Sequence, residues 1–134
     1  SKNARHEDTT DLKGKKVLIC EDNAINSEIL KELLESEGMA CDMAFNGQEA
    51  VNKTRSQHYH IILMDIRMPV MDGYQATREI REFDMNTPIV ALSANVFSDE
   101  VQNAFESGMD DFLEKPIVIP KLLATLRQFL STPA

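Results

Sequence analysis

Four polar residues or pairs follow short strand-like runs in this chain, three of them apolar, and together they have the makings of phosphoryl chemistry. Ile61-Ile62-Leu63-Met64 ends in Asp65, Val17-Leu18-Ile19-Cys20 in Glu21-Asp22, Ile89-Val90-Ala91-Leu92 in Ser93, and Asp111-Phe112-Leu113-Glu114 in Lys115-Pro116. Taken singly, each has an ordinary reading: Asp65 as a turn or capping residue, Glu21-Asp22 as a helix start, Ser93 as a loop hydroxyl, Lys115 as a surface charge. Their recurrence at successive run ends is what those readings leave unexplained. Carboxylates crowded together either protonate or bind a cation. With oxygen ligands alone a hard ion is favoured; Mg²⁺ with retained waters fits best, and Mn²⁺ could take its place. A hydroxyl and an ammonium beside an ionised carboxylate supply half of a phosphoryl cradle, because such transfer is helped chiefly by positioning and by cations placed beforehand. Asp65 would then be the nucleophile and an aspartyl phosphate the product.

That chemistry requires the four run ends to meet. Each run has the length and bounds of a buried strand in a parallel sheet covered on both faces. Between the runs lie helical patterns. Ile25, Ile29 and Leu33, with Leu30 and Leu34 beside them, predict a helix closed by Gly38, its amphipathic face packed on the sheet. Met39 to Ala44 reads as an edge strand because Asp42 interrupts it. After Asn46-Gly47, residues Gln48 to Ser56 form a helix with Ala50 and Val51 facing inward, and the polar Gln57-His58-Tyr59-His60 leads into the central strand. His58 and His60 have metal-ligand types but no third partner, so a surface role is expected. Tyr74 to Phe83 is a helix with Ala76, Ile80 and Phe83 on one face and Asp72 as its cap. Ser98-Asp99-Glu100 opens the next helix as cap and acidic first turn. With only Val101 and Phe105 as large apolar residues, that helix is expected to be loosely held. Pro120 to Leu130 closes the chain with Leu122, Leu126 and Phe129 at core spacing.

Strand and helix alternate five times, which predicts βαβ units with right-handed crossovers. The expected architecture is α/β, a flavodoxin-like doubly wound (βα)5 fold with a five-stranded parallel sheet in the order 2-1-3-4-5. In that order the first and third strands are neighbours and their carboxyl ends border the binding crevice, so Asp22 and Asp65 face each other.

The bulk numbers narrow the field. A chain of 134 residues with 43% hydrophobic content suits one domain, expected over 14–134, after a flexible linker over 1–13 that is poor in apolar residues. A formal charge of −8 argues against direct nucleic-acid binding. No apolar stretch reaches the roughly 20 residues that span a bilayer, so a cytoplasmic domain without direct membrane contact is expected, whatever anchor its parent protein carries. Cys20 and Cys41 fall in apolar runs and are expected as reduced core residues.

The sequence resembles a response-regulator receiver domain from Lys15 to Leu130. The likeness rests on Glu21-Asp22, on Met64-Asp65 followed by Met68-Pro69-x-Met71-Asp72-Gly73, on Ser93-Ala94 and on Lys115-Pro116. It implies that Asp65 is the phosphoacceptor and that Asp22, Asp65 and the Arg67 carbonyl hold Mg²⁺, with Glu21 assisting through water. It further implies that Lys115, Ser93 and the Ala94 N–H hold the phosphoryl oxygens, that Ser93 and Phe112 form the switch, and that the Lys115-Pro116 bond is cis. Receivers often carry Thr at the Ser93 position and Tyr at Phe112; the first exchange keeps a hydroxyl and the second removes one. The string Glu21-Asp22-Asn23-x-x-Asn26, with the linker-like start and the early stop, resembles an excised receiver of a hybrid sensor histidine kinase. A stand-alone regulator also fits. The implied donor is a histidine kinase or a histidine phosphotransfer domain, the implied readout surface is helix four, strand five and helix five, and a weak homodimer is compatible with both. Such a domain assists its own phosphorylation and dephosphorylation without being an enzyme for other substrates, and no ATP-binding or phosphoacceptor-histidine segment is recognisable. Rival readings are a Mg²⁺-dependent phosphatase with an Asp nucleophile, which wants a second acid where Arg67 stands, a flavin module, which Glu21-Asp22 would repel, and a phosphorylation-independent interaction domain.

Overall fold

Alternate residues of each buried strand point to opposite faces, and here both faces are dry. The computed structural model describes residues 11–131. Its elements run β1 (Lys16–Cys20), α1 (Ala24–Ser36), β2 (Ala40–Ala44), α2 (Gly47–Ser56), β3 (Ile61–Asp65), α3 (Gly73–Arg81), β4 (Ile89–Ser93), α4 (Glu100–Ser107), β5 (Asp111–Glu114) and α5 (Ile119–Leu130). All pairings are parallel and the strand order is β2-β1-β3-β4-β5. Leu18, Ile62, Met64 and Ala91 pack with Ala50 and Val51 of α2, Ala76 and Ile80 of α3 and Ala104 of α4. On the other face Val17, Ile19, Leu63 and Val90 pack with Leu30 and Leu34 of α1 and Leu122 and Leu126 of α5. Each fully buried aliphatic chain stabilises the sheet sandwich by about 1.5–3 kcal/mol.

The helix starts follow from short polar side chains. Asn23 Oδ1 accepts from Asn26 N–H, Asn46 Oδ1 from Glu49 N–H and Asp72 Oδ1 from Gln75 N–H, each at 2.9 Å. Each bond satisfies one of the donors that a helix leaves unpaired at its first turn. Asp72 is thus the cap its position predicts.

Several expectations are corrected. Ile25 and Ile29 do not pack on the sheet: they are 71% and 58% exposed, and α1 buries Ser27, Leu30 and Leu34 instead. At about 100° per residue Ile25 lies nearly opposite Leu34, so two apolar stripes of the same period run along the helix and periodicity does not say which turns inward. Of the linker expected over 1–13, residues 1–10 lie outside the described residues, while Leu12 is 2% exposed and belongs to the core. Tyr59, read as part of a polar lead-in, is also 2% exposed, with its hydroxyl donating to Asp42 Oδ2 at 2.7 Å. Phe83 stays half out of the core. His60 Nδ1 accepts from Lys16 N–H at 2.9 Å, a structural use of that ring. Cys20 is buried and free; Cys41 is free and half-buried, its thiol pushed up to about 11 by burial.

Candidate functional site

All four predicted strand exits open at the same edge of the sheet. Asp65 and Ser93 are the last residues of β3 and β4, and Glu21-Asp22 and Lys115 directly follow β1 and β5. β1 and β3 are neighbours, which brings Glu21, Asp22 and Asp65 together with one carboxylate oxygen from each within 4.8 Å of the others. Glu21 and Asp65 are buried, and Asp22 opens to solvent. Lys115 Nζ reaches into the cluster from the far side, 2.8 Å from Asp65 Oδ2 and 3.2 Å from Glu21 Oε1.

The remaining oxygens are also directed. Asp65 Oδ1 accepts from Arg67 N–H and Glu21 Oε2 from Asn23 N–H, both at 3.1 Å. Burial pushes the Glu21 carboxyl up, reinforced by the Asp65 charge, while the Asn23 N–H and Lys115 pull the other way. Burial alone would lower the Lys115 ammonium, but its hydrogen bond to Asp65 and the charges of Asp65 and Glu21 outweigh it and hold the group above its usual value.

The donor set fits a divalent cation. Three carboxylates against one ammonium leave two negative charges when all are ionised. The three carboxylates of the cluster converge closely enough for two or more of them to serve one ion directly or through a water. Its ligands are all hard oxygens. His58 and His60 stand outside it, as expected; among the described residues no other group of acids, histidines and cysteines is arranged for a metal.

Backbone packing explains part of the motif that follows Asp65. Gly73 starts α3 directly against the β3 exit, its N–H donating to the Ile66 carbonyl at 2.9 Å. A Cβ at Gly73 would stand 2.3 Å from the Asp65 carbonyl oxygen. Gly47 approaches the same loop from α2, donating to the Met71 carbonyl at 2.9 Å, and a Cβ there would lie 2.2 Å from that oxygen.

The Ser93 side is arranged differently from the simple cradle. Ser93 is buried, and its hydroxyl donates to Glu100 Oε1 at 2.6 Å while accepting from Asn95 N–H at 3.2 Å. Ala94 is exposed beside it. Glu100 Oε2 accepts from Arg67 Nε and Nη2 at 2.9 and 2.6 Å. The Ser93 bond above all, joined by Arg67 against the opposing effect of burial, holds the Glu100 carboxyl below its usual value. Glu100 is the first-turn acid its position predicts, and Ser98 Oγ accepts its N–H at 3.1 Å, but Glu100 is 7% exposed and bonded to Ser93 and Arg67, and Asp99, at the cap position, makes no side-chain cap bond. An acid seven residues beyond the strand-exit hydroxyl, across a short loop, was the one available signal. The Phe112 ring is half-buried and meets Phe105 of α4 edge-on, with centroids 6.3 Å apart. The Lys115-Pro116 bond is cis.

A flavodoxin-like sheet with an acid cluster at its switch point places the molecule among the doubly wound α/β proteins that use their strand exits for chemistry. A family model described as "response regulator receiver domain" matches residues 17–127, and the chain belongs to that family, the receivers of two-component and phosphorelay systems. The osmosensing histidine protein kinase SLN1 of Saccharomyces cerevisiae is 40% identical over 121 residues, covering 85% of this chain and 10% of the kinase. The receiver of sensor histidine kinase PA1611 from Pseudomonas aeruginosa, solved with magnesium in its active-site cleft, superposes with a TM-score of 0.84 at 37% identity, covering 89% of this chain and 99% of that one. The receiver of the yeast regulator Ssk1, crystallised with the histidine phosphotransfer protein Ypd1, gives 0.78 at 35% identity, covering 83% of this chain and 85% of that one. The chain spans only 4% to 16% of the length of the first curated histidine-kinase relatives.

Proposed function

We propose that Asp65 accepts a phosphoryl group from a phosphohistidine on a partner protein. The observation that carries this reading is the Lys115 ammonium bridging Asp65 and Glu21 inside a cluster otherwise acidic. A carboxylate oxygen of Asp65 attacks phosphorus in line; the P–N bond to the partner imidazole breaks, its electron pair stays on that nitrogen, and a P–O bond forms. Lys115, the Ala94 N–H and the Ser93 hydroxyl receive the phosphoryl oxygens. Asp22, Asp65 and the Arg67 carbonyl would hold Mg²⁺, or Mn²⁺ in its place, with Glu21 behind a water; the ion supplies charge neutralisation for the phosphoryl oxygens. Phosphorylation then draws Ser93 inward, Phe112 follows, and the surface of α4, β5 and α5 reports the change. The small buried anchors Ala104 and Ser107 suit α4 to moving.

The donor is a histidine phosphotransfer domain or histidine kinase docking over α1. Ile25 and Ile29 are exposed, and a cleft shared by Ile29, Glu21, Lys115, Pro116 and Ile119 runs from that helix to the site. This rim offers a phosphohistidine an apolar seat beside the Lys115 that contacts Asp65. The whole protein is read as a cytoplasm-facing hybrid histidine kinase or relay component.

The test is direct. Incubation with a small phosphodonor and Mg²⁺ should add one phosphoryl group by mass, labile to hydroxylamine and missing in Asp65→Asn. Label that persists in Asp65→Asn, or steady turnover of unrelated phosphate esters, overturns the reading.

A further inference from the structure

A hydroxyl has one proton to give, and in this structure Ser93 gives it away from Asp65. Its acceptor is Glu100 Oε1 at 2.6 Å, and one of its lone pairs accepts from Asn95 N–H at 3.2 Å. Ser93 and Glu100 are buried, so water is not a ready substitute for either in this bond. Ser93 therefore cannot donate to a phosphoryl oxygen while it donates to Glu100.

We propose that Glu100 is a positioning residue for Ser93, holding its hydroxyl in the unphosphorylated arrangement and opposing the phosphorylated one until the phosphoryl group takes that proton over. The inference rests on the phosphoacceptor reading above and adds the partner that the hydroxyl must leave. Its geometry also says what moves. Arg67 keeps hold of Glu100 Oε2 with Nε and Nη2, and the Arg67 side chain is 79% exposed, so Glu100 has a paired, solvated position to swing towards. Glu100 is the first residue of α4, and its carbonyl accepts from the Tyr74 hydroxyl of α3 at 3.2 Å. Moving this residue moves the first turn of α4. A ligand shifts a two-state equilibrium only through contacts that differ between the states, and this bond exists in one state alone. The same residue thus sets how much phosphoryl binding is opposed and which helix receives the displacement.

The experiment uses the full 134-residue chain with beryllium fluoride and Mg²⁺ as phosphoryl mimic, read by calorimetry or fluorine NMR. Breaking a charged hydrogen bond is worth roughly a tenfold or larger change in equilibrium. Glu100→Ala should therefore bind the mimic about tenfold tighter, and Glu100→Gln should show a smaller gain. On a Ser93→Ala background the same Glu100→Ala change should alter affinity less than about twofold. An unchanged or weakened affinity in Glu100→Ala, or an equal gain without Ser93, overturns the proposal; a merely structural Glu100 gives the latter. In the wild-type chain, independent of any variant, the mimic should speed amide exchange in the first turn of α4, and unchanged or slowed exchange counts against it. Failure of the wild-type chain to bind the mimic at all is a different result, and overturns the phosphoacceptor reading together with this one.

Discussion

Lys115 Nζ lies closer to Asp65 Oδ2, at 2.8 Å, than to Glu21 Oε1, at 3.2 Å, so the ammonium is docked on the residue proposed as phosphoacceptor and leans on the neighbouring acid. It neutralises part of the cluster's charge, and a divalent cation held by Asp22 and Asp65 would share Asp65 with it.

Lys115→Met should separate these effects. Without the ammonium, Mg²⁺ meets a more negative cluster and binds at least about fivefold tighter, since a unit charge at ~4 Å is worth about 1–4 kcal/mol between water and protein-like dielectric. Binding of a phosphoryl mimic should fall in the same variant. Calorimetric titration of each ligand checks the pair; weaker Mg²⁺ binding would contradict the competition.

The exposed Ile25 and Ile29 make a second prediction. Ile25→Asp with Ile29→Asp should slow phosphotransfer from a phosphorylated histidine phosphotransfer protein by tenfold or more, because charge placed in an apolar contact must be desolvated at a cost of roughly 1–3 kcal/mol or more. Neither side chain is buried, so stability and labelling by a small phosphodonor should stay near wild type. Single-turnover transfer kinetics compared with small-donor labelling distinguishes docking from chemistry.

Gly73→Ala should damage the site through the backbone. The new methyl would press on the Asp65 carbonyl at 2.3 Å, and backbone has no rotamer to escape into. Relief requires α3 to retreat from the β3 exit, a cost of about 1–3 kcal/mol as for other overpacked positions. Chemical denaturation should show the loss, and Mg²⁺ affinity should fall with it.

A pH dependence follows from Asp84 in the α3–β4 connection. Burial would raise its carboxyl, but bonds from the Thr87 hydroxyl, Thr87 N–H and Asn86 N–H, at 2.6, 3.0 and 2.9 Å, hold it below the usual 3.8. A carboxyl depressed on folding contributes stability that is fully present above its unfolded value and is lost as pH falls through the folded one. Asp84→Ala should therefore cost about 1–2 kcal/mol at pH 7, and its gap from wild type should narrow below about pH 4 in acid unfolding curves.

The parts of this molecule readable from its letters are those where burial leaves no choice. A strand covered on both faces is apolar from end to end, so the residue at its exit stands out, and Asp65, Ser93 and Glu21-Asp22 are visible for that reason, whereas Lys115 follows the short edge strand Asp111–Glu114 and is marked by its place after the last strand. The five-fold alternation implied a parallel sheet, and the order 2-1-3-4-5 came with the flavodoxin-like architecture rather than from alternation itself. Helix faces were harder. Both Ile25-Ile29 and Leu30-Leu34 recur at helical spacing, and only the sheet beneath decides between them. Tyr59 looked polar among histidines, yet its ring fills the core while its hydroxyl finds Asp42 on the edge strand, a partner seventeen residues earlier. Glu100 was hidden differently: an acid after Ser and Asp at a helix start has a sufficient local explanation, and its bonds to Ser93 and Arg67 show in the letters only as an acid seven residues beyond the strand-exit hydroxyl.

The two glycine approaches give the crevice one stiff wall. Gly73 wedges against the Asp65 carbonyl and Gly47 ties α2 to the Met71 carbonyl, so the segment downstream of Asp65 is clamped from both neighbours. The Ser93 wall is joined to α4 by a side-chain bond, Ser93 Oγ to Glu100 Oε1, while the Ser93 carbonyl accepts from Lys115 N–H at 2.8 Å. On the proposed reading, a force at the crevice floor meets the clamped segment on one flank and the Ser93–Glu100 bond on the other, and that softer flank leads to α4.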